Sequence, residues 1–231
     1  MVYPTVIAPL FNRFQPLEDA GLKARIDNLL QRTGFRSQGV FVMDGSRRSA
    51  HGNAYFTGLG QAKRIVFFDT LLQQLSPEQT EAVLAHELGH YHRRHIVKRI
   101  ALMFGLSLAL LYLLAWLKGM PWFYAGLGVS ATDDAAALAL FFLALPVFTF
   151  PMSPVLSLYS RRHEFEADAY AAEQSHPAHL ISALVRLYRD NAATLTPDPV
   201  YSLFYDSHPK ASERIGRLER LASPVHIDFD A

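Results

Sequence analysis

The sequence predicts a mainly α-helical chain with a small antiparallel β-sheet and a two-helix transmembrane hairpin. Three observations predict it. Two long runs, Ile100 to Leu117 (18 residues) and Ala135 to Ser160 (26 residues), carry no charge, and about 20 helical residues cross a hydrocarbon core. Three short strand-like runs sit between positions 39 and 68, separated by glycine-containing turns. Most of the remainder places apolar residues at helical spacing behind recognisable caps.

The first ten or so residues, Val2 to Phe11, are mostly apolar with no basic lead and no small-residue cleavage pattern. They are too few to span a bilayer, and read as a buried segment or as the stump of an earlier membrane helix. Pro16-Leu17-Glu18-Asp19 opens a helix in which Leu22, Ile26, Leu29 and Leu30 share a face, with Gly34 as its C-cap. Gly39 to Met43, Asn53 to Thr57 and Arg64 to Phe68 are the strands. Ser76-Pro77-Glu78-Gln79 is a capping box with proline at the first helical position. The helix it starts meets no strong breaker through the basic cluster Arg93, Arg94, Lys98 and Arg99.

The two charge-free runs follow. Trp116, Trp122, Phe123 and Tyr124 lie near their shared end, as interfacial aromatics do, and Pro146, Pro151 and Pro154 are expected to kink the second span. Basic residues flank the outer ends, Arg161 and Arg162 matching the earlier cluster, while the connecting loop holds Lys118 opposed by Asp133 and Asp134. The positive-inside rule then puts both outer ends in the cytoplasm. The chain divides into residues 1–99 (sheet and first long helix), 100–160 (hairpin) and 161–231 (a helical return to the first part).

Composition narrows the chemistry. The chain has 231 residues and only 19% charged side chains, below the usual value of about 25%. Its net charge of +1 suggests no nucleic-acid partner. There is no cysteine, so disulfides and thiolate ligands are excluded and any metal is held by His, Asp or Glu.

His86-Glu87-Leu88-Gly89-His90 is an H-E-x-x-H motif on the capped helix. Residues i and i+4 lie about 40° apart around a helix, so His86 and His90 can reach one zinc ion. Glu87 is placed to take a proton from a water attacking a peptide carbonyl. Such a zincin-like core needs a third protein ligand and an open position. Glu164 is the leading candidate. If the spans are antiparallel, residues equally distant from the loop meet, and the midpoint between Leu88 and Glu164 falls in the loop at Gly126. His92 and His95 lie about 160° and 140° from His90, and Glu166 points away from Glu164; spacing leaves His163 open. Asp168, four residues after Glu164, shares its face and suits a carboxylate that accepts the other ring proton of a ligand histidine. Spacing alone equally allows a solvated helix carboxylate. His208, in Asp206-Ser207-His208-Pro209, precedes a helix from Lys210 to Leu221 and could stabilise an oxyanion; spacing alone favours an ordinary loop histidine.

The segments HGNAYF, KRIVFFDTLL, HELGH, SRRHEFEAD and DSHP, in that order from about Pro16 to Leu221, resemble the type I CAAX prenyl proteases, integral-membrane zinc metalloendopeptidases, and most of all the bacterial-type members. The resemblance implies one zinc ion per chain held by His86, His90 and Glu164, with Asp168 behind a ligand histidine and Glu87 and His208 acting on the substrate. It further implies that Asn53, Ala54, Tyr55 and Phe56 form an edge strand that pairs with an extended peptide. The expected setting is a multi-pass protein of the bacterial inner membrane, or of the endoplasmic reticulum if eukaryotic, with the active site facing the cytoplasm. Its partners are a peptide or protein substrate, prenylated or membrane-associated, and the lipid bilayer. The family has about seven spans around a chamber, and two are visible here, so the chain looks like a C-terminal half. A heat-shock-type membrane quality-control protease shares the same motifs, and an inactive zinc-binding membrane module is the reading outside enzymes.

Overall fold

The computed structural model describes residues 8–57, 63–130, 132–190 and 198–223; the expected membrane-helix stump lies mostly outside them. The elements in order are α1 (Ala8–Phe11), β1 (Phe14–Pro16), α2 (Ala20–Arg32), β2 (Val40–Met43), β3 (Ala54–Thr57), β4 (Arg64–Phe68), α3 (Asp69–Gln74), α4 (Pro77–His92), α5 (His95–Leu117), α6 (Pro121–Gly126), α7 (Asp134–Thr149), α8 (Ser153–Gln174), α9 (Pro177–Asp190), α10 (Pro199–Tyr205) and α11 (Ala211–Ala222). They group into two compact units. One takes in the described parts of Met1–Arg93, Glu164–Pro197 and Pro209–Ala231; the other is formed by Arg94–His163 and Asp198–His208.

In the first unit, the Asp19 carboxylate caps α2 by accepting from the Leu22 amide at 2.9 Å. Leu22, Ile26, Leu29 and Leu30 are all buried, as their spacing predicts. Gly34 follows with φ of +65°, the left-handed position that closes a helix without a Cβ clash. The four-stranded sheet runs β1-β2-β4-β3. An antiparallel sheet was expected, and β1–β2 and β3–β4 are antiparallel, but the central pair, β2 with β4, is parallel. The sheet is therefore mixed. Hydrophobic alternation sets which face each residue occupies and leaves strand direction open, so the two arrangements are alike in sequence. Val40, Ile65 and Phe67 point from this sheet into a core shared with Leu71, Leu84, Leu88, Tyr170, Leu180 and Leu218.

Ser76 and Gln79 form the reciprocal capping box that starts α4. From α2, Arg25 reaches Glu78 and Glu81 of α4 at 2.6 and 3.3 Å, and Arg32 reaches Glu81 at 2.8 Å. The helix then ends earlier than expected. It stops at His92, and Arg94 turns left-handed (φ 56°, ψ 36°) before α5 begins. That conformation costs a non-glycine residue roughly 1–2 kcal/mol. No glycine or proline marks the break, so nothing in the local sequence announces it.

The second unit holds the two apolar segments. None of the most apolar 18-residue window of α5 is buried, and Ile96, Ile100, Phe104, Leu111 and Tyr112 are all exposed. A core helix of a water-soluble domain would cover such side chains. At the far end Phe123 and Tyr124 turn inward against Ala137 and Phe141, while Trp116 and Trp122 stay exposed. Lys118 pairs with Asp134 at 3.1 Å across the turn. The second run keeps helical form through Pro146. It tightens into a 3-10 turn at Phe150–Met152 around Pro151 and resumes as α8. Removal of backbone donors at the prolines accounts for that interruption.

Candidate metal centre

Four helices of the first unit build the site. The last two turns of α4 present His86 and His90. The part of α8 after residue 163 presents Glu164 and Asp168, and α11 adds Arg214. Gly89 allows the approach of the first two: a Cβ there would stand 2.9 Å from the Ala167 Cα and 3.0 Å from its carbonyl oxygen. Ala167, fully buried, is the small residue it packs against, with the Tyr170 Cβ beside it. Helix α9 packs on both α4 and α11 and holds the arrangement from behind.

The Nε2 atoms of His86 and His90 are 3.1 Å apart. Glu164 Oε2 lies 3.6 Å from His86 Nε2, and Glu164 Oε1 lies 3.4 Å from His90 Nε2. Ligands about 2.0–2.1 Å from a tetrahedral zinc stand about 3.3 Å from one another, so the spacing fits such an ion and leaves a fourth position. Among the described residues this is the one group of three or more His, Asp or Glu side chains placed to hold a metal. The rivals are spoken for elsewhere: His92 stacks on Tyr170, and His95 and His163 stack on each other with rings 4.1 Å apart.

Protonation follows from the partners. His86 Nδ1 is 2.9 Å from Asp168 Oδ1. A carboxylate only accepts, so Nδ1 carries the hydrogen and Nε2 keeps its lone pair for the metal. That lone pair faces the Glu164 carboxylate at 3.6 Å, an arrangement of acceptors that suits a cation. Asp168 is 1% exposed and is itself gripped by Arg214, whose Nε and a terminal nitrogen donate to its two oxygens at 2.8 and 2.6 Å. Another Arg214 nitrogen lies 3.7 Å from Glu164 Oε2. Burial works against the Arg214 charge, but the Asp168 and Glu164 carboxylates hold its pKa above the ordinary arginine value.

Arg214 went unnoticed in the sequence, although a signal was present. Buried positions on α11 are Ala211, Arg214 and Leu218. An arginine in an apolar stripe needs a buried anion. Glu87 is half-buried on α4. Residues Ala54 to Phe56 lie on β3, which among the described residues is an edge strand paired only with β4, and the Asn53 side chain accepts from the Ala54 amide at 2.8 Å. A ring sequence from Phe56 through Phe35 to Tyr91, at 5.1 and 4.9 Å, connects that strand to α4 beside His90. His208 is exposed and belongs to the second unit.

The model of peptidase family M48 matches residues 16–222. CAAX prenyl protease 1 of Saccharomyces cerevisiae is 38% identical over 234 residues, covering 94% of this chain and 52% of that protein. The human CAAX prenyl protease 1 homolog is 32% identical over 259 residues, covering 95% and 54%. The crystal structure of S. mikatae Ste24p superposes with a TM-score of 0.84 at 38% identity, over 94% of this chain and 54% of that one. The chain thus spans about half the length of the curated relatives it matches.

Proposed function

The chain belongs to peptidase family M48, and on that premise we propose that it is a membrane-embedded zinc endopeptidase that hydrolyses CAAX-type prenylated or membrane-associated polypeptides. The observation that carries the proposal is the acceptor cluster of His86, His90 and Glu164 beside Glu87. A zinc ion held there supplies Lewis-acid polarisation of the scissile carbonyl and makes water nucleophilic near neutral pH.

The residues divide the remaining work. Glu87 takes one proton from the attacking water and passes it to the nitrogen of the breaking peptide bond, so that a carboxylate and an amine leave. Asp168, held by Arg214, keeps the His86 ring in the tautomer that offers Nε2. His208 donates a hydrogen bond to the carbonyl oxygen as negative charge develops on it. The outer edge of β3, from Asn53 to Phe56, takes the peptide as an added strand, its backbone giving affinity independent of most side chains. The exposed apolar surfaces of α5 and α7 sit in lipid, with the metal centre on the cytoplasmic side of the bacterial inner membrane or, in a eukaryote, of the endoplasmic reticulum.

The test is cleavage of a farnesylated CAAX peptide by the purified chain in detergent, beside Glu87→Gln and a chelated sample. Wild-type cleavage lost on chelation and restored by zinc is expected, with Glu87→Gln retaining one zinc per chain and losing at least about a thousandfold in kcat. A zinc-loaded wild type that leaves the peptide intact would refute this substrate class for the chain.

A further inference from the structure

The loop that carries His208 is fastened to α8 within the second unit. Ser157 donates its hydroxyl hydrogen to the Asp206 carbonyl. Arg161, one turn along the same face, donates from Nε to that carbonyl at 3.3 Å. A terminal nitrogen of Arg161 donates to the Ser202 carbonyl and approaches the Ser202 hydroxyl at 3.4 Å. Ser202 is 1% exposed, and its carbonyl also accepts from the Asp206 amide. The guanidinium therefore covers the C-terminal end of α10, where unpaired carbonyls carry partial negative charge. Phe150, from the 3-10 turn ahead of α8, stacks on Phe204 at 5.0 Å and adds an apolar brace. Arg161 forms no ion pair among the described residues; its charge is directed at this loop. His208 follows Asp206 by two residues and is exposed.

We infer that Arg161 is a positioning residue for His208. Its forked, planar donors fix two carbonyls at once, which sets the exit of the chain from α10 and hence where the imidazole stands. A lysine would offer a single point charge to the same place. The inference rests on the reading in which His208 stabilises the developing oxyanion. In that role a misplacement of about 1 Å costs up to a hundredfold in rate, so the loop needs fixed anchorage.

The experiment compares wild type, Arg161→Ala, Arg161→Lys, His208→Ala and the double variant Arg161→Ala/His208→Ala in the zinc-loaded full chain. Turnover is measured on the farnesylated CAAX peptide, with hydrogen–deuterium exchange of residues 199–208. Arg161→Ala is expected to lower kcat about tenfold to a hundredfold, with KM within about twofold and zinc content unchanged. It is expected to cost nothing further in the His208→Ala background, because a positioning residue acts only through the group it positions. Arg161→Lys is expected to recover part of the loss, and exchange of 199–208 to speed up in Arg161→Ala. Full additivity of the two losses overturns the inference, as does unchanged exchange in Arg161→Ala. If His208→Ala turns over normally, the role given to His208 falls and this inference with it, while the Glu87 and chelation results still decide whether the chain is a zinc peptidase. If no variant cleaves the peptide, exchange alone decides: faster exchange supports the anchorage and unchanged exchange overturns it.

Discussion

At the scale of single residues, the centre is a set of charges that tolerate burial only together. Asp168, Glu164 and Arg214 are all less than 9% exposed, and each has its countercharge within the group. Arg214→Met should leave two buried carboxylates facing one another and destabilise the fold by about 3–5 kcal/mol. Zinc affinity should fall about 10–100-fold as the Asp168 support of His86 loosens. Thermal denaturation and a zinc competition titration check the two parts, and a variant with unaltered affinity would remove Arg214 from the account. The sequence pointed to the candidate ligands His86, His90 and Glu164 because i, i+4 spacing and the hairpin midpoint are geometric. It hid Arg214, because its partners lie 46 and 50 positions away and no local spacing links them.

At the scale of elements, helix contact is set by what is missing from Gly89. The Cβ of Gly89→Ala would meet the backbone of Ala167 rather than a flexible side-chain end, so α4 and the ligand-bearing stretch of α8 must part. A destabilisation of about 1–3 kcal/mol is expected, with weaker zinc binding, because His90 and Glu164 sit on opposite sides of the contact. Equal zinc affinities in the two proteins would show that the helices do not need this proximity. A second junction is polar. Asp69, at the start of α3, accepts from the amide and hydroxyl of Ser46 and from the Thr70 amide. Burial pushes its carboxyl up, but these donors outweigh it and hold the pKa below the ordinary aspartate value. A depressed carboxyl stabilises the fold above its unfolded pKa of about 3.9 and loses that contribution as pH falls through the folded value. Asp69→Asn should therefore lower the melting temperature at pH 6, by about 1 kcal/mol equivalent given its partial exposure. The gap to wild type should close as pH falls below the ordinary aspartate value and through the lower folded one, and melting curves followed into acid would reveal a gap that stays constant instead. The capping box and the α2 face were legible because caps and periodicity are local. The parallel pairing of β2 with β4 was not, since it is fixed by how distant pieces pack, and no glycine or proline marks the left-handed turn at Arg94.

At the scale of the molecule, the first unit is closed by three stretches of chain that meet only in the folded state. A metal bound between α4 and α8 then stabilises the folded form by mass action, about 4 kcal/mol when free zinc is a thousand times its dissociation constant. Stripping it with a chelator should lower the melting temperature by roughly 10 °C for a chain of this size, and added zinc should restore it. A melting temperature indifferent to chelation would mean that the cluster holds no structural share of the ion. The division into two compact units was only partly legible. The charge-free runs mark the hairpin, but the assignment of 198–208 to the second unit depends on Arg161, Ser157 and Phe150, which face that stretch across 41 or more positions.

The order in which these pieces leave the ribosome has its own consequence. His90 is made 124 residues before Arg214, an interval of roughly 6–25 s at ordinary rates of synthesis, about 5–20 residues per second. For that time the growing chain has its first two imidazoles, and later the Glu164 and Asp168 carboxylates, without the guanidinium that makes their burial tolerable. The charge-balanced centre cannot precede α11, so during synthesis the buried carboxylates wait for their countercharge on nothing more than the sequence order of the chain's own parts.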